Sequence, residues 1–527
     1  MKIRILLIIV TLLMISTSCN KVLDVQSSRV VGETNMWNKV ADATTGLDGV
    51  FGLARAALND NCRHWIYGDL RAIQGMGGDF RSVNRLDLRA VTTNQLKATY
   101  PLVDALSNWT KFYAVINAAN IFLERAPNIL KTDATYLPSD LKLDVANVRA
   151  IRAFIYFYMV RIWGDVPLII TSHDGQFDNK PRESQKNVLT FVESELLAVI
   201  PNVPIVYNST PLQPEQPRAG VLFYNIYQEW EPVKKAAAYA VLAHVYAWEG
   251  KYADAAICAK WVINNMYLSS IMGKEQLVFS PIDAVRQMFR GESGNNQYQI
   301  LLGFSHNGVN GESTTNGALE ELTLAAPYIT SKALPAIYMP KDTVLSIFNE
   351  ANDTRFYLNP LLNQPASDRY FGAFDRTYPI FTKVFILNAN PPLNTTSGPG
   401  SDGSIATFSS STVFSRPEDM ELLLAEADAV LGNTTEAITY LNAARVNRGL
   451  LAYDATKNGT LIDAIFAERR KELMGEGQRW YDLIRYKKIK NNDPAFNTMI
   501  NNGGIYWPIA QSVLSENPLL VQNPYWN

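Results

Sequence analysis

The chain has 527 residues, of which 47% are hydrophobic and 19% charged, a composition that excludes a disordered chain, a collagen and a polytopic membrane protein. Its 48 Lys and Arg against 50 Asp and Glu leave a formal charge of -2, so it lacks the basic field with which nucleic-acid binders engage phosphates. The 22 Phe, 25 Tyr and 10 Trp suit stacking on flat ligand faces, yet most such rings go to the core.

At the N-terminus Lys2 and Arg4 precede an apolar run, 5–15, in which only Thr11 is polar. That is the charged and apolar order of a secretory signal, and it is shorter than the roughly 20 residues a bilayer span needs. Ser16, Thr17 and Ser18 then lead to Cys19, the pattern of a bacterial lipoprotein signal. The expectation is cleavage after residue 18, lipidation of Cys19, and a mature chain of 19–527 held to a membrane by acyl chains alone. Plain secretion with an incidental Cys19 is the alternative. Cys62 and Cys258 then remain, and sequence does not say whether they pair.

Residues 37–268 read as mainly helical. The spacing predicts a helix at 109–125 on Phe112, Val115, Ile116, Ala119 and Leu123, ended by Pro127. A clearer one follows at 145–163, with one apolar stripe of Ile151, Phe154, Ile155, Tyr158, Met159 and Ile162, stopped at Gly164 before Asp165-Val166-Pro167. Helices at 236–248 and 253–263, joined by Glu249-Gly250-Lys251, resemble a tetratricopeptide unit. A similar pair occupies 418–431 and 436–446 around Gly432. These are expected to be separate hairpins of one superhelical layer. Between them, 269–415 is rich in Gly, Pro, Asn and Ser and reads as loops, as does 68–95.

Chemistry-bearing motifs are scarce. The four histidines are scattered, and neither Gly-x-Ser-x-Gly nor a phosphate loop occurs. Glu468, Glu472 and Glu476 stand four apart on one predicted helix with Arg469, Arg470 and Lys471. The reading is a charged helix surface, against a glycosidase pair that would need one desolvated carboxyl. No cofactor or metal is expected.

Several ordered segments resemble the SusD/RagB family of outer-membrane nutrient-binding lipoproteins. They are Cys19-Asn20-Lys21-Val22-Leu23-Asp24, then Val148-Arg149-Ala150-Ile151-Arg152-Ala153-Phe154, and Arg161-Ile162-Trp163-Gly164-Asp165-Val166-Pro167. Pro181-Arg182 with Ser184, Arg416-Pro417-Glu418-Asp419, and Leu441-Asn442-Ala443-Ala444-Arg445 follow. The most specific run is Glu468-Arg469-Arg470-Lys471-Glu472-Leu473 with Arg479-Trp480-Tyr481-Asp482, then Tyr506-Trp507-Pro508-Ile509 and Gln522-Asn523-Pro524.

The resemblance implies a mainly α fold, a SusD-like helical superhelix with tetratricopeptide-like hairpins and loop-rich insertions carrying the ligand site. In those terms 37–268 and 416–527 form the scaffold and 269–415 the ligand side of a single domain. It also implies a cell-surface role without catalysis: oligosaccharide, or peptide as in the RagB branch, handed to a SusC-like TonB-dependent transporter. Arg149, Arg152 and the Arg479–Asp482 corner are expected to be structural.

A saccharide site needs an aromatic platform for the C–H face and Asn, Asp or Arg for the hydroxyl rim. The candidates are Trp65, Tyr67, Arg71, Asp79, Arg81, Asn84 and Arg85 in the first loop, with Asn296 and Tyr298 in the second, where Asn295, Gln297, Asn307, Asn310 and Tyr328 share the same mixture. A neutral glycan ranks first, an acidic glycan or peptide second. A secreted glycosidase and a purely structural surface protein are the rival classes.

Overall fold

The computed structural model describes residues 36–527 apart from 72–77, 98, 173–178, 206–231, 266–281, 290–299, 307–316, 330–331, 360, 363, 366–368, 386, 389–406 and 409. Its architecture is mainly helical, with strands confined to short two-stranded ribbons among the described residues.

Among the described residues ten longer helices define the scaffold: α1 Val40–Asn59, α2 Thr110–Arg125, α3 Pro138–Trp163, α4 Gln185–Val199, α5 Lys235–Glu249, α6 Tyr252–Asn265, α7 Pro417–Leu431, α8 Thr434–Asn447, α9 Leu461–Glu472 and α10 Arg479–Lys490. The central one is α3. Pro138 sits at its first turn, where a missing N–H costs nothing, and the Asp140 carboxylate accepts from the Leu137 N–H at 3.1 Å. Gly164 ends it with φ of 75° and ψ of -116°, a backbone essentially restricted to glycine. The single apolar stripe expected from sequence proves too narrow: every residue from Ala150 to Trp163 is buried, because α1, α2, α4 and α5 all pack on this helix. Arg161 lies inside as well, its guanidinium 4.1 Å from the Tyr481 ring centroid.

The two tetratricopeptide-like pairs form as read from the sequence, α5 with α6 and α7 with α8. Their long separation in sequence closes in space, since α6 packs directly on α7. The hairpins therefore make a continuous layer, with α9 covering α7 and α8 over Leu422, Ala425, Leu441, Ala444 and Ile465. One hydrophobic cluster runs from Trp37 to Trp526 and joins both ends of the chain.

The stretch expected as loops carries more order than its composition suggests. Short antiparallel ribbons pair β1 Arg81–Ser82 with β3 Ile337–Tyr338, and β2 Leu302–Phe304 with β4 Thr412–Ser415. Phe348, Phe356, Phe371 and Phe381 add an aromatic knot with centroid separations between 5.5 and 6.2 Å. Cys62 and Cys258 are both free and buried. No helix among the described residues is long and apolar enough to cross a membrane.

Candidate ligand-binding face

The first candidate loop divides sharply between interior and surface. Residues 66–70 form a π-helical turn pressed against the 475–477 turn, so closely that a Cβ on Gly68 would lie 1.9 Å from the Gly477 carbonyl oxygen. That approach buries what flanks it. Trp65 Nε1 donates to the Gly475 carbonyl at 2.8 Å, and the Tyr67 hydroxyl donates to the Leu106 carbonyl at 2.5 Å. Arg71 is interior too, its guanidinium 4.5 Å from the Trp480 ring centroid and hydrogen-bonded to the carbonyls of Gly504, Ile505 and Tyr506. Asp79 is buried between Arg470 and Arg479; burial pushes its carboxyl up, but the two guanidinium groups outweigh that and hold it below the usual carboxylate range. These four candidates are corrected from ligand contacts to core residues. The Trp65 Nε1, the Tyr67 hydroxyl, the Arg71 Nη atoms and the Asp79 carboxylate already have internal partners, and the two rings are buried.

Arg81, Asn84 and Arg85 are exposed, as expected of a surface loop. The Phe80 carbonyl accepts from Arg81 at 3.1 Å, and Arg85 Nε donates to Asp87 at 3.1 Å in a two-pronged pair. Pairing of β1 with β3 sets Arg81 opposite Tyr338, and the Val83 N–H donates to the Ala336 carbonyl at 3.0 Å just beyond. Tyr338 packs edge-on against Tyr378 at 4.7 Å and 76°, both half-buried. The result is a short ribbon that sets exposed Arg81 opposite a half-buried pair of phenol rings. Sequence reasoning missed Tyr338 and Tyr378, since nothing local ties residue 81 to residue 338.

Of the second set, Asn295, Asn296, Gln297, Tyr298, Asn307 and Asn310 lie outside the described residues. Tyr328 is half-buried, with its ring edge-on to Phe385 at 5.5 Å and its hydroxyl against Gly372.

The glutamate run is a buried ion cluster rather than a helix surface. Helix α9 ends at Glu472, and Glu476 sits in the following turn. Glu468, Glu472 and Glu476 are at most 3% exposed. Arg448 and Arg416 reach the Glu472 carboxylate at 2.7 and 3.1 Å, and Arg355 approaches it at 3.1 Å. Lys383 and Arg416 hold Glu476 at 2.5 and 2.8 Å. Burial alone would raise these carboxyls, but Arg448 and Arg416 take Glu472 well below its ordinary value, and Arg416 with Lys383 lowers Glu476. A general acid needs the reverse, so Glu472 and Glu476 offer no proton at neutral pH. The other expected structural charges also pair internally: Arg149 and Arg152 reach Glu195 at 2.7 and 2.6 Å, and Asp482 accepts from Arg469 and Arg485 at 3.0 and 2.7 Å. Among the described residues no cluster of His, Cys, Asp or Glu could hold a metal ion.

Comparison with known proteins bears on this geometry. Residues 406–526, which contain the buried glutamate run and the 479–482 corner, match the SusD family. A SusD-like protein of Formosa agariphila is 27% identical over 96% of both chains. A laminarin binding SusD-like protein superposes with a TM-score of 0.64 at 19% identity, covering 92% of this chain and 99% of its own, which is a likeness of fold. A SusD superfamily protein from Bacteroides thetaiotaomicron superposes with a TM-score of 0.78 at 37% identity, covering 93% of this chain and 100% of its own. With fold and sequence agreeing along nearly the whole length, the chain belongs to the SusD family.

Proposed function

We propose that this protein is a cell-surface lipoprotein that binds oligosaccharides and delivers them to a SusC-like TonB-dependent transporter of the outer membrane. Cys19 is the lipid-anchored residue, 1–18 the signal, and 19–527 one domain. Ligand contacts are Arg81, Asn84 and Arg85 with Tyr338 and Tyr378, joined by Asn296 and Tyr298. The reading is supported above all by the strand register that sets exposed Arg81 opposite Tyr338, whose ring packs edge-on against Tyr378. Aromatic faces cover the C–H side of a pyranose, while guanidinium and amide groups satisfy its hydroxyls. The protein supplies binding and no catalysis, in keeping with buried, arginine-held carboxylates.

Calorimetric titration of the full chain against an oligosaccharide panel tests the reading. Tyr338→Ala is expected to weaken binding about tenfold, the equivalent of about 1.4 kcal/mol, with the fold intact. Absence of saturable glycan binding overturns the assignment, and saturable binding of peptides alone moves it to peptide uptake. Anchoring is checked separately, since Cys19→Ala should release the protein from membranes.

A further inference from the structure

Four segments of the family resemblance, distant in sequence, converge on one open cleft of about 430 Å³. They contribute Gly164-Asp165, Arg182, Tyr506 and Asn523-Pro524, and the 501–503 stretch and Tyr525 complete the lining. The walls are held in place by packing. The Tyr506 ring lies 3.1 Å from where a Cβ on Gly164 would stand, and its hydroxyl donates to Gln185 Oε1 at 3.1 Å. Tyr525 lies on Gly504 and edge-on to Trp526 at 4.8 Å, yet keeps 41% of its surface exposed.

The polar groups are equally fixed. Asp165 Oδ1 accepts from the Gln185 N–H at 2.7 Å, while Oδ2 stands 3.6 Å from Arg182 Nη2. Arg182 Nη1 donates to the Val521 carbonyl at 3.0 Å, and Asn523 Nδ2 to the Gly503 carbonyl at 3.1 Å. Asn502 is exposed at the mouth.

We propose that this cleft is a second saccharide site, which takes one neutral pyranose unit. Its volume falls within the few hundred cubic ångströms typical of small-molecule pockets. Asp165 and Arg182 cancel in charge, which disfavours an ionic ligand. The carboxylate accepts from sugar hydroxyls in strong charge-assisted bonds, Asn502 can both donate and accept, and the open side of Tyr525 meets the C–H face. The cleft shares no lining residue with the Arg81–Tyr338 face and does not depend on it.

The test is saturation-transfer NMR on the full chain, with methyl glucoside, galactoside and mannoside as probes and tri-alanine as the peptide probe. At least one pyranoside should show transfer that persists when Tyr338→Ala has weakened the other face, and that adding Asn502→Trp, a substitution at an exposed position, abolishes. Tyr525→Ala should weaken that binding about tenfold, and Tyr338→Ala should leave it unchanged. The proposal is overturned if no pyranoside shows transfer, if adding Asn502→Trp to Tyr338→Ala leaves the transfer intact, or if tri-alanine alone gives the Asn502→Trp-sensitive signal. Because Tyr338→Ala follows only the other face, the two sites can fail independently.

Discussion

Asp69 shows how one buried side chain ties stability to pH. It accepts a hydrogen bond from the Gly477 N–H, and burial pushes its carboxyl up to about 7; that N–H and Lys383 pull the other way, and the neighbouring Glu476 and Asp79 charges add to the rise. The folded state therefore keeps a proton that the unfolded chain releases near pH 4. Between those values the native form binds more protons, so this contribution is full below about pH 4 and is lost as the pH rises through about 7. Asp69→Asn retains an acceptor for Gly477 and cannot ionise. It should match the native protein at or below about pH 4, begin to exceed it between pH 4 and 7, and exceed it by about 1–3 kcal/mol at pH 8 in urea unfolding. A variant less stable at pH 8 would instead show that the Asp69 charge is stabilised by Lys383. Residues such as this were hard to place from sequence. Trp65, Tyr67, Arg71 and Asp79 have the composition of a sugar site, and what buries them is the contact of Gly68 with Gly477, invisible in either segment alone.

Helices were the legible part of the chain, because a 3.6-residue period and its stop signals are local. The expected bounds 109–125, 236–248 and 418–431 fall within a residue or two of α2, α5 and α7. Ribbons of two residues carry no period, so β1 and β3 could not be read. The same locality fails to rank one helix end against another. Gly250 after α5 has φ of 80° and ψ of 12°, and a Cβ there would meet nothing within 4 Å. Gly164 after α3 has a backbone that side chains avoid and the Tyr506 ring beside it. Gly250→Ala should thus cost only about 1–2 kcal/mol, the penalty of the left-handed region. Gly164→Ala should cost more than that, adding displacement of Tyr506 to strain of about 1–3 kcal/mol. Thermal unfolding of the two variants checks the order, and equal losses would mean that the tyrosine contact contributes nothing.

Across the whole molecule the ends of the chain hold one another. Trp65 binds the carbonyl of Gly475, Asp79 pairs with Arg470, the Trp507 N–H donates to the Ile162 carbonyl at 2.7 Å, and Arg71 gathers three carbonyls from 504–506. None of these partnerships is local, so the sequence could announce the motifs but not that they meet. Arg71 is the most demanding of them, because burial drags its guanidinium down to about 9 with no carboxylate among the described residues to pair it, and backbone carbonyls, the Asn94 side chain, and the Trp480 and Trp507 rings partly offset that cost. Arg71→Met removes the charge and leaves carbonyls unsatisfied, with an expected loss of about 2–4 kcal/mol. The manner of the loss is the sharper test. If the C-terminal segment is part of a single cooperative unit, tryptophan fluorescence and far-ultraviolet circular dichroism should shift together to lower urea. An early fluorescence transition with unchanged helical signal would show that the 503–527 segment detaches alone, and that Arg71 fastens a flap rather than a fold.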